Sequence, residues 1–384
     1  MKKNKKNILF ITAFQPKINS GDSFVSHGVL NGFLKENCSV TVISFKENRM
    51  IKPDINKKSI LYISKLWIYP KFSYIKKLSL FFSISPFFAN KFFDVSLLEK
   101  IQKEINKKEF DQVVIHGYAM AKYSNFINFK NLIYLEDEDM NKIFKSRFIH
   151  ENNFIKKSFL FTEYIKSFFY QRIYFNKFKK FWLLNKKNSN SYFSKNSKKV
   201  KIPLLAEIKK NSFSPHSKDI VFTGTLNWEE NKQGLIWFLK EVWPKVARKN
   251  TTILHVIGKN IENDLKEIID SSTNVIAHGF VNDLEKIYGK SAFAIAPIWS
   301  NAGIKIKILN YLQYGLPVVA SFESTEGLIS LDGITIADKK TFSRKINFLL
   351  SSKMKKAALS KKAIKNIKDN YSMENISTFL KREL

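Results

Sequence analysis

The sequence is short of the features that mark several common protein classes. It has one cysteine in 384 residues, Cys38, so no intrachain disulfide can form and a disulfide scaffold is excluded. Glycine and proline are scarce, at 13 and 9 residues, and 44% of positions are hydrophobic, which excludes a collagen-like or a disordered chain. No apolar run reaches the length of a membrane span. The longest charge-free one in the first half, 78–90, is too short and contains Pro86. The lysine-rich start followed by Ile8-Leu-Phe-Ile-Thr-Ala-Phe14 has a short apolar segment and no small-residue cleavage site, so it reads as a buried first strand in a cytosolic protein. Acids are scarce too: 33 Asp and Glu face 65 Lys and Arg, a net charge of +32. Lys, Asn, Ile and Phe are all abundant, as an AT-rich genome would produce, but the charge still attracts polyanions such as nucleic acid, anionic lipid or phosphorylated sugars.

The length suggests two domains. The first half reads as a strand at 8–14, a turn-rich loop at 15–22, a helix at 23–35 and a strand at 39–45. Short apolar runs at 113–115 and 132–135 read as strands buried on both faces of a parallel sheet. The stretch 65–93 and a long helical tract at 141–187 are rich in aromatics and lysines, and neither has a clean polar face. A Ser/Asn/Lys-rich segment at 189–201 precedes a composition change near 204, which puts an N-terminal domain at 1–203 and a C-terminal one at 204–370. A terminal helix at 371–384, packing back on the first domain, completes the division. The second half alternates strand-like runs, at 220–223, 253–257, 275–278, 292–297, 317–321 and 334–337, with helical segments. The pattern predicts two parallel-sheet α/β halves with a cleft between the carboxyl ends of their strands.

The most informative segment runs from Pro297 to Ser321. A strand ends at Pro297, a polar turn follows, a helix is expected to start near Gly303, and Gly315 ends it. Free backbone N–H groups at a helix start form an anion site, and glycine lets a phosphate approach. Lys305 and Lys307 fall in the first turns, where the helix dipole disfavours a cation and a bound anion would remove the penalty. Gly303, Lys307 and Asn310 share one helix face, whereas Lys305 points elsewhere; two solvated lysines beside a permissive turn are the competing account.

From Ile220 to about Tyr371 the sequence resembles the donor-binding domain of GT-B glycosyltransferases of the group 1, or family-four, class. The resemblance rests on Phe222-Thr-Gly224 followed by Asn227-Trp228 and Asn231, on Ile257-Gly258, and on His278-Gly-Phe-Val-Asn-Asp283. It continues through Gly303-Ile-Lys-Ile-Lys307, Gly315-Leu-Pro-Val-Val319 and Thr325-Glu-Gly-Leu328; the N-terminal half shares less, through its first strand, Gly21, Phe110-Asp111 and His116-Gly117. The resemblance implies two Rossmann-like domains facing each other across a cleft, and transfer of a sugar from a nucleotide diphosphate sugar, UDP- or GDP-linked, without metal or other cofactor. It further implies that Gly224 and Thr225 form a donor-phosphate loop and that Phe280 and Val281 contact the base. Asn301, Ala302, Gly303 and Ile304 would cradle the diphosphate, with Gly21 on the opposite wall and Lys232 as a further phosphate contact. The family's pair of glutamates, eight positions apart, is replaced here by Ala302 and Asn310; Glu326 is a partial substitute.

Departure of a diphosphate asks the protein to stabilise negative charge, a task for the Gly303 and Ile304 amides and Lys307. His116, at the carboxyl edge of its strand, is a candidate for orienting the sugar or moving a proton, against a structural loop histidine. Asp137 and Asp139 form a literal DxD, read as a metal site, as acceptor-hydroxyl binding by Glu138 or Asp139, or as a solvated helix start. The other histidines show no metal spacing. The basic aromatic stretch 65–93 suits an anionic membrane surface or core packing, and no nucleic-acid-binding spacing accompanies the charge. The expected function is therefore a bacterial glycosyltransferase, retaining by resemblance, acting on a glycan or lipid-linked acceptor in O-antigen, capsule or lipooligosaccharide synthesis on the inner face of the cytoplasmic membrane. The rival is a catalytically weak partner subunit that keeps the fold.

Overall fold

The computed structural model describes residues 5–16, 21–46, 59–66, 80, 82–136, 138–185, 197–210, 213–248, 251–299 and 304–384. The chain forms two compact units, Met1–Leu205 with Glu374–Leu384, and Ala206–Met373.

Among the described residues the first unit holds seven parallel strands: β1 (Asn7–Phe14), β2 (Ser39–Lys46), β3 (Ile60–Leu66), β4 (Gln112–His116), β5 (Leu132–Leu135), β6 (Lys180–Leu183) and β7 (Lys198–Lys201). Their order is β3-β2-β1-β4-β5-β6-β7. Ile8 to Ile11 and Val113 to Ile115 are fully buried, as strands sandwiched between helix layers must be. The strand order reverses between β1 and β4, where Thr12 lies opposite His116. The helix Met373–Glu383 belongs to this unit. Its Leu380 and Ile376 lie so close to the helix Gly21–Lys35 that a Cβ on Gly32 would stand 2.6 Å from Leu380 Cδ1.

Two sequence expectations need correction here. The tract 141–187 is not one helix: helices span Met140–His150 and Phe154–Tyr174, and β6 follows. The break falls at Glu151-Asn152-Asn153, where the Asn153 side chain accepts a hydrogen bond from Lys156 N–H and starts a new helix as its cap. The Ser/Asn/Lys-rich segment also contains an edge strand, β7, whose Lys-Lys-Val-Lys sequence lacks an apolar pattern because lysines blunt sheet edges.

The second unit is a six-stranded parallel sheet in the order β10-β9-β8-β11-β12-β13. Its strands are β8 (Asp219–Thr223), β9 (Leu254–Ile257), β10 (Val275–Gly279), β11 (Ser291–Ala296), β12 (Val318–Ala320) and β13 (Ile334–Ile336). Ile220, Phe222, Phe293 and Ile295 share its core with Leu235, Phe238 and Trp243 of the helical segment that follows β8. Gly234 in that segment lets the helix lie directly on the end of β11, since a Cβ there would meet Pro297 O at 2.1 Å. The helix Ile306–Gln313 ends at Gly315, whose φ of +67° is the left-handed conformation that glycine adopts most readily after a helix.

Candidate functional site

In a doubly wound sheet, ligands bind beyond the carboxyl ends of the strands where the strand order reverses. In the second unit those are the ends of β8 and β11. Beyond β8 the chain continues through Gly224 and Thr225; beyond β11 it leads to the helix Ile306–Gln313.

Three residues from these segments meet. Lys307 Nζ donates to Asn231 Oδ1 at 2.7 Å and lies 4.3 Å from the centre of the Phe222 ring. Asn231 Nδ2 donates to the carbonyl of Thr225 at 3.0 Å. Gly224 completes the cluster: a Cβ there would stand 2.9 Å from both Lys307 Nζ and Asn231 Nδ2. Burial pushes the Lys307 ammonium well below the usual lysine pKa, and the like charge of Lys305 adds to the effect. A cation desolvated at the start of a helix, with no carboxylate bonded to it among the described residues, is stabilised when an anion arrives.

The framework behind the cluster is rigid. Tyr311, one helical turn beyond Lys307, is fully buried, and its hydroxyl accepts from the Thr223 N–H at 2.8 Å and the Thr223 hydroxyl at 2.9 Å. Gly258 lets the end of β9 back directly onto the loop, since a Cβ there would overlap Gly224 O at 1.9 Å.

The remaining sequence candidates are distributed as follows. Asn301, Ala302 and Gly303 lie outside the described residues. Ile304 is buried and Lys305 is the cap residue of the helix, which starts at Ile306 rather than near Gly303. Lys307 is therefore its second residue, and Asn310 is half-buried three positions on. Thr225 is exposed. Phe280 is exposed and Val281 half-buried just beyond β10, after Gly279 at φ +63°. Glu326 is half-buried at the end of the turn Glu323–Thr325. Lys232 is not joined to Lys307: it pairs with Glu262 and Asp264, both at 2.6 Å. Burial alone would lower its pKa, but those two carboxylates outweigh it and hold the ammonium above the usual range.

In the first unit, Gly21 opens the helix Gly21–Lys35. His116 is buried at the end of β4, its Nδ1 3.0 Å from Thr12 Oγ1 and its ring stacked on Phe10. Asp137 lies outside the described residues; Asp139 caps the helix Met140–His150 by accepting from Lys142 N–H, and Glu138 beside it is half-buried. Among the described residues no group of three or more His, Cys, Asp or Glu could hold a metal ion.

Sequence reasoning named Asn231 only within the resemblance and did not see that it holds Lys307. Their 76-residue separation hides the contact, though an Asn one turn into the helix after a phosphate-loop strand was a signal for it. Tyr311 was missed because a tyrosine on a buried helix face is ordinary core.

Comparison with known proteins places this geometry. Residues 217–352 match the family described as Glycosyl transferases group 1. The whole chain superposes on sucrose-phosphate synthase from Thermosynechococcus elongatus with a TM-score of 0.69 and 12% identity, covering 99% of this chain and 98% of that one. It superposes on WaaG, a glycosyltransferase involved in lipopolysaccharide biosynthesis, with a TM-score of 0.65 and 11% identity, covering 97% and 98%. A protein described as an uncharacterized 44.6 kDa protein in the cps region of Klebsiella pneumoniae is 26% identical over 300 residues, 73% of this chain and 75% of that protein. The fold is GT-B, two Rossmann-like domains with parallel sheets. The C-terminal unit carries a group 1 glycosyltransferase domain over residues 217–352.

Proposed function

We propose that the protein transfers a sugar from a nucleotide diphosphate sugar, UDP- or GDP-linked, to a glycan or lipid-linked glycan acceptor in the synthesis of a bacterial surface polysaccharide such as capsule, O-antigen or lipooligosaccharide. The observation that carries this reading is the Gly224–Asn231–Lys307 cluster at the reversal point of the second sheet. The cps-region Klebsiella relative and the lipopolysaccharide enzyme WaaG support the pathway class. The donor's diphosphate lies against the amides at 303 and 304 and the Lys307 ammonium, whose charged form the anion favours. Fixed positive charge at that position stabilises the departing nucleoside diphosphate without a metal. Asn310 meets a ribose hydroxyl as a neutral hydrogen-bonding group in place of a carboxylate, with Glu326 as a second acceptor. Phe280 and Val281 border the base, and Thr225 and Lys305 add phosphate contacts. Lys232, held by two carboxylates, contributes by anchoring the loop. In the N-terminal unit Gly21, His116 and Glu138 serve the acceptor side, and the anomeric configuration is retained. A lipid-linked acceptor brings the enzyme to the anionic inner face of the cytoplasmic membrane.

The experiment is a thermal-shift screen of nucleotide sugars followed by release of nucleoside diphosphate on adding acceptor. A bound donor raises Tm by mass action. If no nucleotide sugar or nucleoside diphosphate shifts Tm, the transferase reading gives way to a partner subunit that keeps the fold, which the replacement of both family glutamates by Ala302 and Asn310 would then explain.

A further inference from the structure

The helix Phe154–Tyr174 is built inside out. Its inner face carries Glu163, Ser167 and Gln171, all buried, beside Tyr170. These polar groups find partners: Glu163 Oε2 accepts from Phe87 N–H at 2.7 Å, Gln171 Oε1 accepts from Asn141 at 3.2 Å, and the Tyr170 hydroxyl donates to the Tyr118 carbonyl at 3.1 Å. The outer face carries the apolar residues instead. Phe161, Ile165, Phe169 and Ile173 recur every fourth position as one stripe, each between 39% and 50% exposed. At the start of the helix Phe154 and Ile155 are 81% and 79% exposed. The patch does not end there. Lys166 Nζ reaches the Leu80 carbonyl, so the neighbouring Phe82 and Ile84, at 78% and 64% exposed, flank the same helix.

A folded chain that turns phenylalanines outward while burying a glutamate presents an apolar face for something other than water. The charge around it says what. Residues 140–177 contain eight lysines and arginines against two acids, and one of those acids, Glu163, is buried and paired with Lys166. Lys145, Lys156 and Arg172 are exposed along the same two helices. Aromatic and aliphatic side chains ringed by lysines suit the boundary between lipid tails and acidic headgroups. A second copy of the chain fits poorly, because it would bring another surface of the same sign onto this one.

We propose that the outer face of the helix Phe154–Tyr174, with Phe82 and Ile84, docks the N-terminal unit on an anionic lipid surface. The inference rests on the membrane side of the proposed function and names the surface responsible, the helix Phe154–Tyr174 joined by Phe82 and Ile84 from the stretch 65–93 singled out in the sequence; residues 67–79 and 81 of that stretch lie outside the described residues. Among the described residues no helix is long and apolar enough to cross a membrane, so the contact is made by lying on the surface.

The test is co-sedimentation of the full chain with vesicles of phosphatidylglycerol and phosphatidylethanolamine, compared with vesicles of phosphatidylcholine alone. Wild type should pellet with the anionic vesicles only. Replacing Phe161→Ser, Ile165→Ser and Phe169→Ser together should cut partitioning more than about tenfold while lowering Tm only modestly and keeping the nucleotide-sugar thermal shift, because each side chain is 39–50% exposed and Phe161 also packs on Phe148. Lys156→Glu should lower partitioning by about fivefold or more and make what remains less salt-sensitive. Equal pelleting of wild type and the triple variant overturns the proposal, as does failure of wild type to pellet. A wild-type dimer that the triple variant dissolves into monomers overturns it in favour of self-association. A wild type that pellets but binds no nucleotide would leave the docking face standing and remove the transferase reading instead.

Discussion

The two sheets share an order of strands about their reversal points and differ in what stands there. In the first unit Thr12 and His116 face each other across β1 and β4, buried and hydrogen-bonded. In the second unit the corresponding place holds a partly desolvated ammonium tethered by an amide, beside a loop whose glycine leaves room for it. The backbone plan supplies a location in both cases. Only the second location stores an electrostatic debt that an anion settles, and that difference marks it as the anion site.

The sharpest way to break the comparison is Lys307→Ala. We expect turnover to fall about 100- to 1,000-fold, as when one charge-stabilising donor is lost, with Tm little changed; near-normal turnover in a glycosyl-transfer assay would make the two ends equivalent. Gly258→Ala should act on stability instead, because its Cβ overlaps the Gly224 carbonyl. A loss of about 1–3 kcal/mol or more by denaturant unfolding is expected. The pH dependence is a third measure. A lysine whose pKa is lowered in the folded protein binds fewer protons there than in the unfolded chain, so its contribution to stability grows as pH rises through the window between the two values. An anion at Lys307 raises the pKa again, so donor binding takes up protons and weakens at pH above the lowered pKa. Calorimetry in two buffers of different ionisation enthalpy should show that uptake, and Lys307→Met should abolish it. On the other side, Thr12→Val leaves His116 Nδ1 without its neighbour and should cost about 1–3 kcal/mol with donor affinity unchanged. The smallest effect expected is that of Asn310→Glu, which should keep or modestly improve donor affinity measured by thermal shift.

Much of the second unit was legible because strands covered on both faces write themselves as short apolar runs, and Ile220-Val-Phe222 or Ala292-Phe-Ala-Ile295 admit little else. Edge strands escape that reading: Lys198-Lys-Val-Lys201 is mostly charge, and its identity is fixed by pairing with β6. The helix Phe154–Tyr174 showed in sequence only as a tract lacking a polar face. Which side turned outward depended on Glu163 and Gln171 finding partners on other segments, and no periodicity contains that information. The candidate site was legible as residue types near strand ends. Its geometry was not, since Lys307 and Asn231 meet only through the fold.

The helix Met373–Glu383 belongs to the first unit although the whole second unit precedes it in the chain. Phe379 lies edge-on to Trp182, and Glu383 is buried between Lys180 and Lys198 on β6 and β7. During synthesis on the ribosome the N-terminal sheet must therefore wait, with Trp182 and the groove at Gly32 uncovered, until the helix Met373–Glu383 emerges. Deleting residues 373–384 would be felt first in the N-terminal sheet, as clumping of chains whose Trp182 stays uncovered.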